Sequence, residues 1–152
     1  MKYRILTVND KNDLKTLRKI SKPVEVFDHG LRFFIEELKD ICYKEGGAGL
    51  SAIQVGNPIR VLIYALDMNL DRFAVMVNPV IKFASYTNVK TTEEGCLSIP
   101  KKTIHVTRPS TIMVAYQDGR GNYKIKKLKY PQSTIVQHEL DHLDGKLLVD
   151  YE

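Results

Sequence analysis

The chain has no tryptophan, only two cysteines among 152 residues, and no long apolar run. Two thiols, Cys42 and Cys96, are too few to staple a domain of this size, which suits a reducing compartment. No window approaches the roughly eighteen uninterrupted apolar residues that a membrane-spanning helix needs. The N-terminus, MKYRILTVNDKND, lacks the apolar core of a secretory signal, and its early acidic residues speak against a transit peptide. Cytoplasmic residence, with no membrane partner, is therefore expected. Repeats, low-complexity segments and linkers are also lacking, so one domain spanning 1–152 is expected.

What is present is a globular composition. Apolar residues make up 43% and charged residues 27%, which excludes disorder. The net charge of +5 is scattered except at Lys124, Lys126, Lys127 and Lys129. These alternate with Tyr123, Ile125, Leu128 and Tyr130 and read as the solvent face of a strand rather than a specific nucleic-acid groove.

The first 25 residues read as a strand-like start followed by polar, loosely helical sequence up to Pro23. DHGLRFFIEELKDICYKEGG predicts a helix. Asp28 is its N-cap, Leu31, Phe34, Ile35, Leu38, Ile41 and Cys42 form one buried face, and Gly46 and Gly47 end it. The runs 60–67, 73–79, 110–118 and 123–130 are rich in β-branched and aromatic residues and predict strands. GRGN between the last two predicts a hairpin turn. A second helix should open at Pro131 and close at Gly145, leaving LLVDYE as a terminal strand or tail. Helix, strands, then helix, without a βαβ rhythm, is an α+β pattern of mostly antiparallel sheets.

On the second helix Ile135, His138 and His142 share a face in QHELDHLDG. Two imidazoles one turn apart can hold one cation, and Glu139 projects beside it as a base rather than a ligand. An ordinary polar helix with two histidines remains the alternative. A catalytic site of this type needs a third protein ligand. Cys96, in TTEEGCLSIP, is the better candidate, because Gly95 and Pro100 mark a loop or sharp bend there. His29 and His105 have no supporting pattern.

Three segments then stand out together. GAGLSAIQ (47–54), EGCLS (94–98) and QHELDH (137–142) resemble the signature segments of the peptide deformylases, in that family's order and at its separations. The resemblance implies a metal-dependent hydrolase that removes the N-formyl group from the N-terminal formylmethionine of nascent polypeptides. It implies Cys96, His138 and His142 as metal ligands and Glu139 as general base and acid. Gln54 and the backbone N–H of Leu97 would hold the developing oxyanion. Gly47, Gly49, Leu50, Glu94 and Ile135 would contact substrate, although core packing also accounts for Leu50 and Ile135. The family characteristically uses Fe(II), with Ni, Co or Zn as substitutes.

Three departures qualify the resemblance. Ser51 replaces a usual alanine-like position. The segment after CLSIP offers Lys101, Lys102 and Thr103 where many relatives carry a substrate-holding arginine. The short tail, about ten residues beyond His142, resembles phage-encoded members, and leaves docking on the ribosome without the C-terminal helix that serves it elsewhere. An H-E-x-x-H peptidase and a basic, non-catalytic binding module remain as competing readings.

Overall fold

The computed structural model describes residues 2–152. Helix α1 (Lys11–Leu17) is capped by Asp10, whose carboxylate accepts from the backbone of Asn12 and Asp13. Helix α2 (His29–Lys44) starts at Asp28, which accepts from Leu31 N, and buries the six predicted apolar residues. Seven strands follow: β1 (Gly49–Ser51), β2 (Val61–Ala65), β3 (Phe73–Ala84), β4 (Val89–Cys96), β5 (Ile99–Pro109), β6 (Thr111–Gln117) and β7 (Tyr123–Lys129). Helix α3 (Gln132–Leu143) is entered from Pro131. Short 3-10 turns occupy Ala52–Val55 and Leu148–Tyr151.

The strands form two antiparallel sheets, one ordered β1-β2-β3-β6-β7 and the other the β4-β5 hairpin. The architecture is the α+β arrangement that the sequence predicts. Strand alternation divides the larger sheet's contacts between two helices. Val61, Ile63 and Val77 pack against α2, whereas Leu62, Tyr64, Met76, Ile112, Val114 and Leu128 pack against α3. Thus α3 lies on one face of β2, with its histidine-bearing side turned toward β1 and the hairpin. No helix among the described residues is long and apolar enough to cross a membrane.

The ends depart from expectation. Residues 2–10 form no strand; instead Leu6 N donates to Gln54 O and Val8 N to Ser98 O, single bonds that seat the segment beside the site loops. LLVDYE closes as a 3-10 turn rather than a strand, because Asp150 accepts from Leu147 N and curls the chain. Its neighbour Gly145 needs a left-handed φ of +74°, and a Cβ there would run into Arg18 O.

Candidate metal centre

Three elements deliver the site. EGCLS is not a loose loop: Cys96 pairs with Ile99 across a two-residue turn, Leu97–Ser98, at the tip of the β4-β5 hairpin. Residues 100–102 bulge there, since Gly95 pairs with Thr103. The hairpin carries the Cys96 thiol to α3. Its Sγ lies 3.3 Å from His142 Nε2, and one donor atom each from Cys96, His138 and His142 all lie within 4.8 Å of one another. On α3 the two imidazoles have centroids 5.2 Å apart.

These donors fit a metal ion. For metal–sulfur and metal–nitrogen bonds of about 2.3 and 2.0–2.1 Å, tetrahedral geometry separates S and N by about 3.5 Å. The observed 3.3 Å agrees closely. His138 Nδ1 is committed to Glu94 Oε1 at 3.0 Å, which leaves its Nε2 for a ligand. Burial, then the charges of His138 and Arg108, hold His142 well below the usual histidine pKa, so its ring is neutral. Burial also pulls His138 down, but hydrogen bonds with Cys96 and Glu94 outweigh it and hold that ring well above the usual value.

Glu139 is 4% exposed, and its Oε1 has no hydrogen-bond partner among the described residues. Burial pushes its carboxyl up to about 7, against the charges of His138 and Arg108. A carboxyl poised near neutrality can both accept and return a proton. Gln54 is oriented by two bonds to its Oε1, from Ser51 N and Ser51 Oγ, both 3.0 Å. Its Nε2 then donates to Ser98 Oγ at 3.0 Å and points toward Cys96 Sγ at 3.7 Å. The extra hydroxyl of Ser51 therefore steadies the amide and leaves the geometry intact.

A cleft of about 770 Å³ opens onto this group, lined in part by Gly47, Gly49, Leu97 and Ile135. Gly49 is set by packing more directly than by ligand approach: a Cβ would lie 2.9 Å from Glu139 Oε2 and 2.9 Å from Ile135 Cγ2.

One expected substrate contact, Leu50, is corrected, and Glu94 has further partners. Leu50 alternates to the opposite face from Gly49, is fully buried against α2 and does not line the cleft. Glu94 borders the cleft, but both its carboxylate oxygens are engaged: Oε2 accepts from Arg108 Nε at 2.7 Å, and Oε1 from Arg108 Nη2 and from His138. Its carboxylate therefore fixes the His138 ring and the Arg108 guanidinium from the cleft wall.

Sequence reasoning also missed what supports Glu94. Arg108, 5% exposed, reaches Asp141 Oδ2 at 3.0 Å and Tyr151 Oη at 3.3 Å, while Tyr151 donates to Asp141 at 2.7 Å. A signal was present: Ile104, Val106 and Arg108 share the inward phase of β5, and a cation in an apolar phase requires a buried partner. His29 and His105 are exposed and take no part; His105 lies 3.7 Å from Glu93.

A hairpin thiol and two helix imidazoles converging beside a buried carboxylate, on an α+β fold, define a metal-dependent hydrolase. The family model described as polypeptide deformylase matches residues 2–151, and the chain belongs to that family. It is 39% identical over 150 residues to the peptide deformylase of Caulobacter vibrioides, covering 97% of this chain and 86% of that protein. With the Brucella suis enzyme identity is 44% over 137 residues, 89% and 78% of the two chains. Among solved structures, the peptide deformylase of Thermotoga maritima superposes with a TM-score of 0.90 at 35% identity, covering 98% of this chain and 96% of that one. A probable peptide deformylase from Synechococcus phage S-SSM7 gives 0.89 at 34% identity, covering 99% of both. The family's reaction is hydrolysis of the N-formyl group at the N-terminus of new polypeptides, releasing formate.

Proposed function

We propose that Cys96 Sγ, His138 Nε2 and His142 Nε2 hold one divalent ion, Fe(II) in the cell with Zn, Ni or Co as substitutes, and that Glu139 drives deformylation of formylmethionyl peptides. The carrying observation is the 3.3 Å approach of Cys96 Sγ to His142 Nε2 beside the buried Glu139. Thiolate and imidazole together suit soft to borderline ions of this kind. When bound, such an ion supplies Lewis acidity, bringing the ionisation of water from 15.7 to about 7.

The protein's own groups do the rest. Glu139 accepts the proton of the attacking water and returns it to the departing amine, so that water and amide become formate and a free N-terminus. Negative charge grows on the formyl oxygen. Gln54 Nε2 and the Leu97 N–H are the donors assigned to it, each worth about 3–4 kcal/mol in the transition state. Gln54 adds no charge and no titration of its own. The substrate backbone lies extended along Gly47 and Gly49 as an added strand, and the methionine side chain rests against Ile135. The enzyme acts on nascent chains in the cytoplasm.

The test is anaerobic loading with Fe(II), then formate release from formyl-Met-Ala beside an internally cleavable, N-blocked peptide. Formate from the first substrate alone is expected. Cleavage of the second without formate would establish a peptidase instead.

A further inference from the structure

The protein's positive charge is not spread evenly over the fold. Residues 73–91 and 109–131, which build β3, β6 and β7 with their connections, carry seven cations and one acid, Asp118. That local balance of +6 exceeds the +5 of the whole chain, so the remainder, including the catalytic elements, is slightly acidic. Asp118 is itself occupied, accepting from the Arg120 and Asn122 backbone in the β6-β7 turn. Lys82, Lys126, Lys127 and Lys129 lie on these strands, exposed, and none is within salt-bridge distance of an acid among the described residues.

This half of the large sheet is also open on one face. In the β6-β7 register Met113 pairs with Lys127, Ala115 with Ile125 and Gln117 with Tyr123, all opposite in phase to the core residues Ile112, Val114 and Leu128. On β3, Phe83 pairs with Met113 and Val80 with Ala115. Helix α2 packs on the other end of the sheet, against Val61, Ile63 and Val77. The uncovered face consequently presents Tyr123 at 85% exposure, Ile125 at 67%, Phe83 at 53% and Val80 at 52%. Edge strand β7 has one buried residue, Leu128.

An isolated lysine row is an ordinary solvated strand. Exposed aromatic and branched side chains set among unpaired lysines on an antiparallel sheet are different, because bases stack on such side chains while lysines track the phosphates. Of the β7 lysines, Lys127 and Lys129 share the phase of Tyr123 and Ile125, whereas Lys124 and Lys126 alternate to the face of Leu128. We propose that the outer face of β3-β6-β7, with Lys127 and Lys129, is a sequence-tolerant docking surface for single-stranded RNA. Charge complementarity selects a polyanion, and stacking surfaces select one with unpaired bases over a duplex or a lipid headgroup layer. RNA is the single-stranded polyanion that an enzyme of nascent polypeptides meets. Strand β7 runs directly to the cleft: Tyr130 follows Lys129, lines the cleft wall, and has Lys90 Nζ 4.2 Å from its ring centroid. A strand of RNA on this face thus holds the catalytic cleft at its border. The surface is independent of the metal chemistry, since it shares no residue with Cys96, Glu139 or the histidines.

The test is fluorescence anisotropy with labelled twelve-nucleotide oligouridine, titrated with the full chain at several salt concentrations. Saturable binding is expected, with log K falling linearly in log salt at about 0.7 per phosphate neutralised. Lys127→Glu with Lys129→Glu should weaken it at least about tenfold, and Tyr123→Ala with Phe83→Ser by about tenfold at unchanged net charge. A control, Lys11→Glu with Lys15→Glu on α1, alters net charge equally and should have less than a threefold effect. Formate release from formyl-Met-Ala by all three variants should match the parent, which checks folding. No binding at low salt, or equal losses in the control and the β7 variant, would overturn the proposal. So would a tenfold preference for oligodeoxythymidine, or binding to vesicles with 30% phosphatidylserine that the β7 variant abolishes and oligouridine does not compete.

Discussion

Gly49 sits where any side chain would meet Glu139, the proposed general base. A Cβ there lies 2.9 Å from both Glu139 Oε2 and Ile135 Cγ2, inside contact distance. Gly49→Ala should therefore leave the fold cooperative but displace Glu139, lowering kcat/KM by about 100-fold, as misplacement by an ångström does; steady-state kinetics with circular dichroism checks both halves. Glu139→Gln removes a proton carrier and no ligand. Its metal content by elemental analysis should equal the parent's while kcat falls by about 10²–10⁴. Arg108 is the residue on which Glu94, and through it His138, depends. Arg108→Leu leaves two carboxylates, Glu94 and Asp141, without their cation. Urea titration should show a loss of about 3–5 kcal/mol, the cost of breaking a buried pair. Metal affinity should drop about 10- to 100-fold, as for other supports of a ligating histidine. At this scale the Cys96, His138 and His142 cluster was legible because H-E-x-x-H and EGCLS are local patterns. The real duty of Glu94 was not, since its partners come from β5 and α3, 14 and 44 residues away.

At the scale of elements, periodicity identified α2, α3 and four strands, but not every phase: β2 is buried throughout, and β7 buries Leu128 while Tyr123 and Ile125 are exposed. The β4-β5 hairpin was less legible. Its outward residues are mostly Thr, Lys and Glu, and the buried apolar residues of β5 are Ile99, Ile104 and Val106, so apolar alternation is too sparse to advertise two strands. The terminal 3-10 turn was hidden for another reason. It is held to α1 by Arg18, whose Nη1 and Nη2 reach Asp150 at 2.7 and 3.0 Å, a contact between residues 132 apart. Arg18 holds the Asp150 carboxyl below its ordinary value of 3.8. The depressed carboxylate contributes stability above that value, and the contribution is lost as pH falls through the lower value it has in the folded protein. Hydrogen-exchange protection factors near residues 147–152 should accordingly fall on acidification below 3.8, ahead of those of α2. In Arg18→Ala the same segment should exchange fast already at neutral pH. Identical exchange in the two proteins at pH 7 would remove the pair from this role.

For the whole molecule, the metal group is where the smaller sheet meets the larger one, since Cys96 belongs to the hairpin and both histidines to the helix packed on β2. An ion bound there ties the two bodies together and stabilises only the folded chain. Mass action gives about 2.7 kcal/mol when free metal is 100 times its dissociation constant. Chelation should lower the melting temperature by about 5–11 °C in a chain of this size, at about 2–4 °C per kcal/mol, and stoichiometric Ni(II) or Co(II) should restore it. Cys96→Ser protein should melt at nearly the same temperature with and without chelator.

By itself the sequence determined the local matters: which segments coil, which extend, where Asp28 and Gly145 bound their helices, and which side chains, Cys96, His138, Glu139 and His142, are candidates for the chemistry. Each of these is written within a few turns of chain, where spacing and side-chain type act directly on the backbone. The tertiary structure alone decided that Leu50 turns into the core while Gly49 faces Glu139, that Glu94 pairs with both His138 and Arg108, and that Tyr151 braces Arg108. Those outcomes depend on register and on buried charges finding partners across long separations. Desolvation makes such partners obligatory, but only the folded arrangement specifies which ones they are.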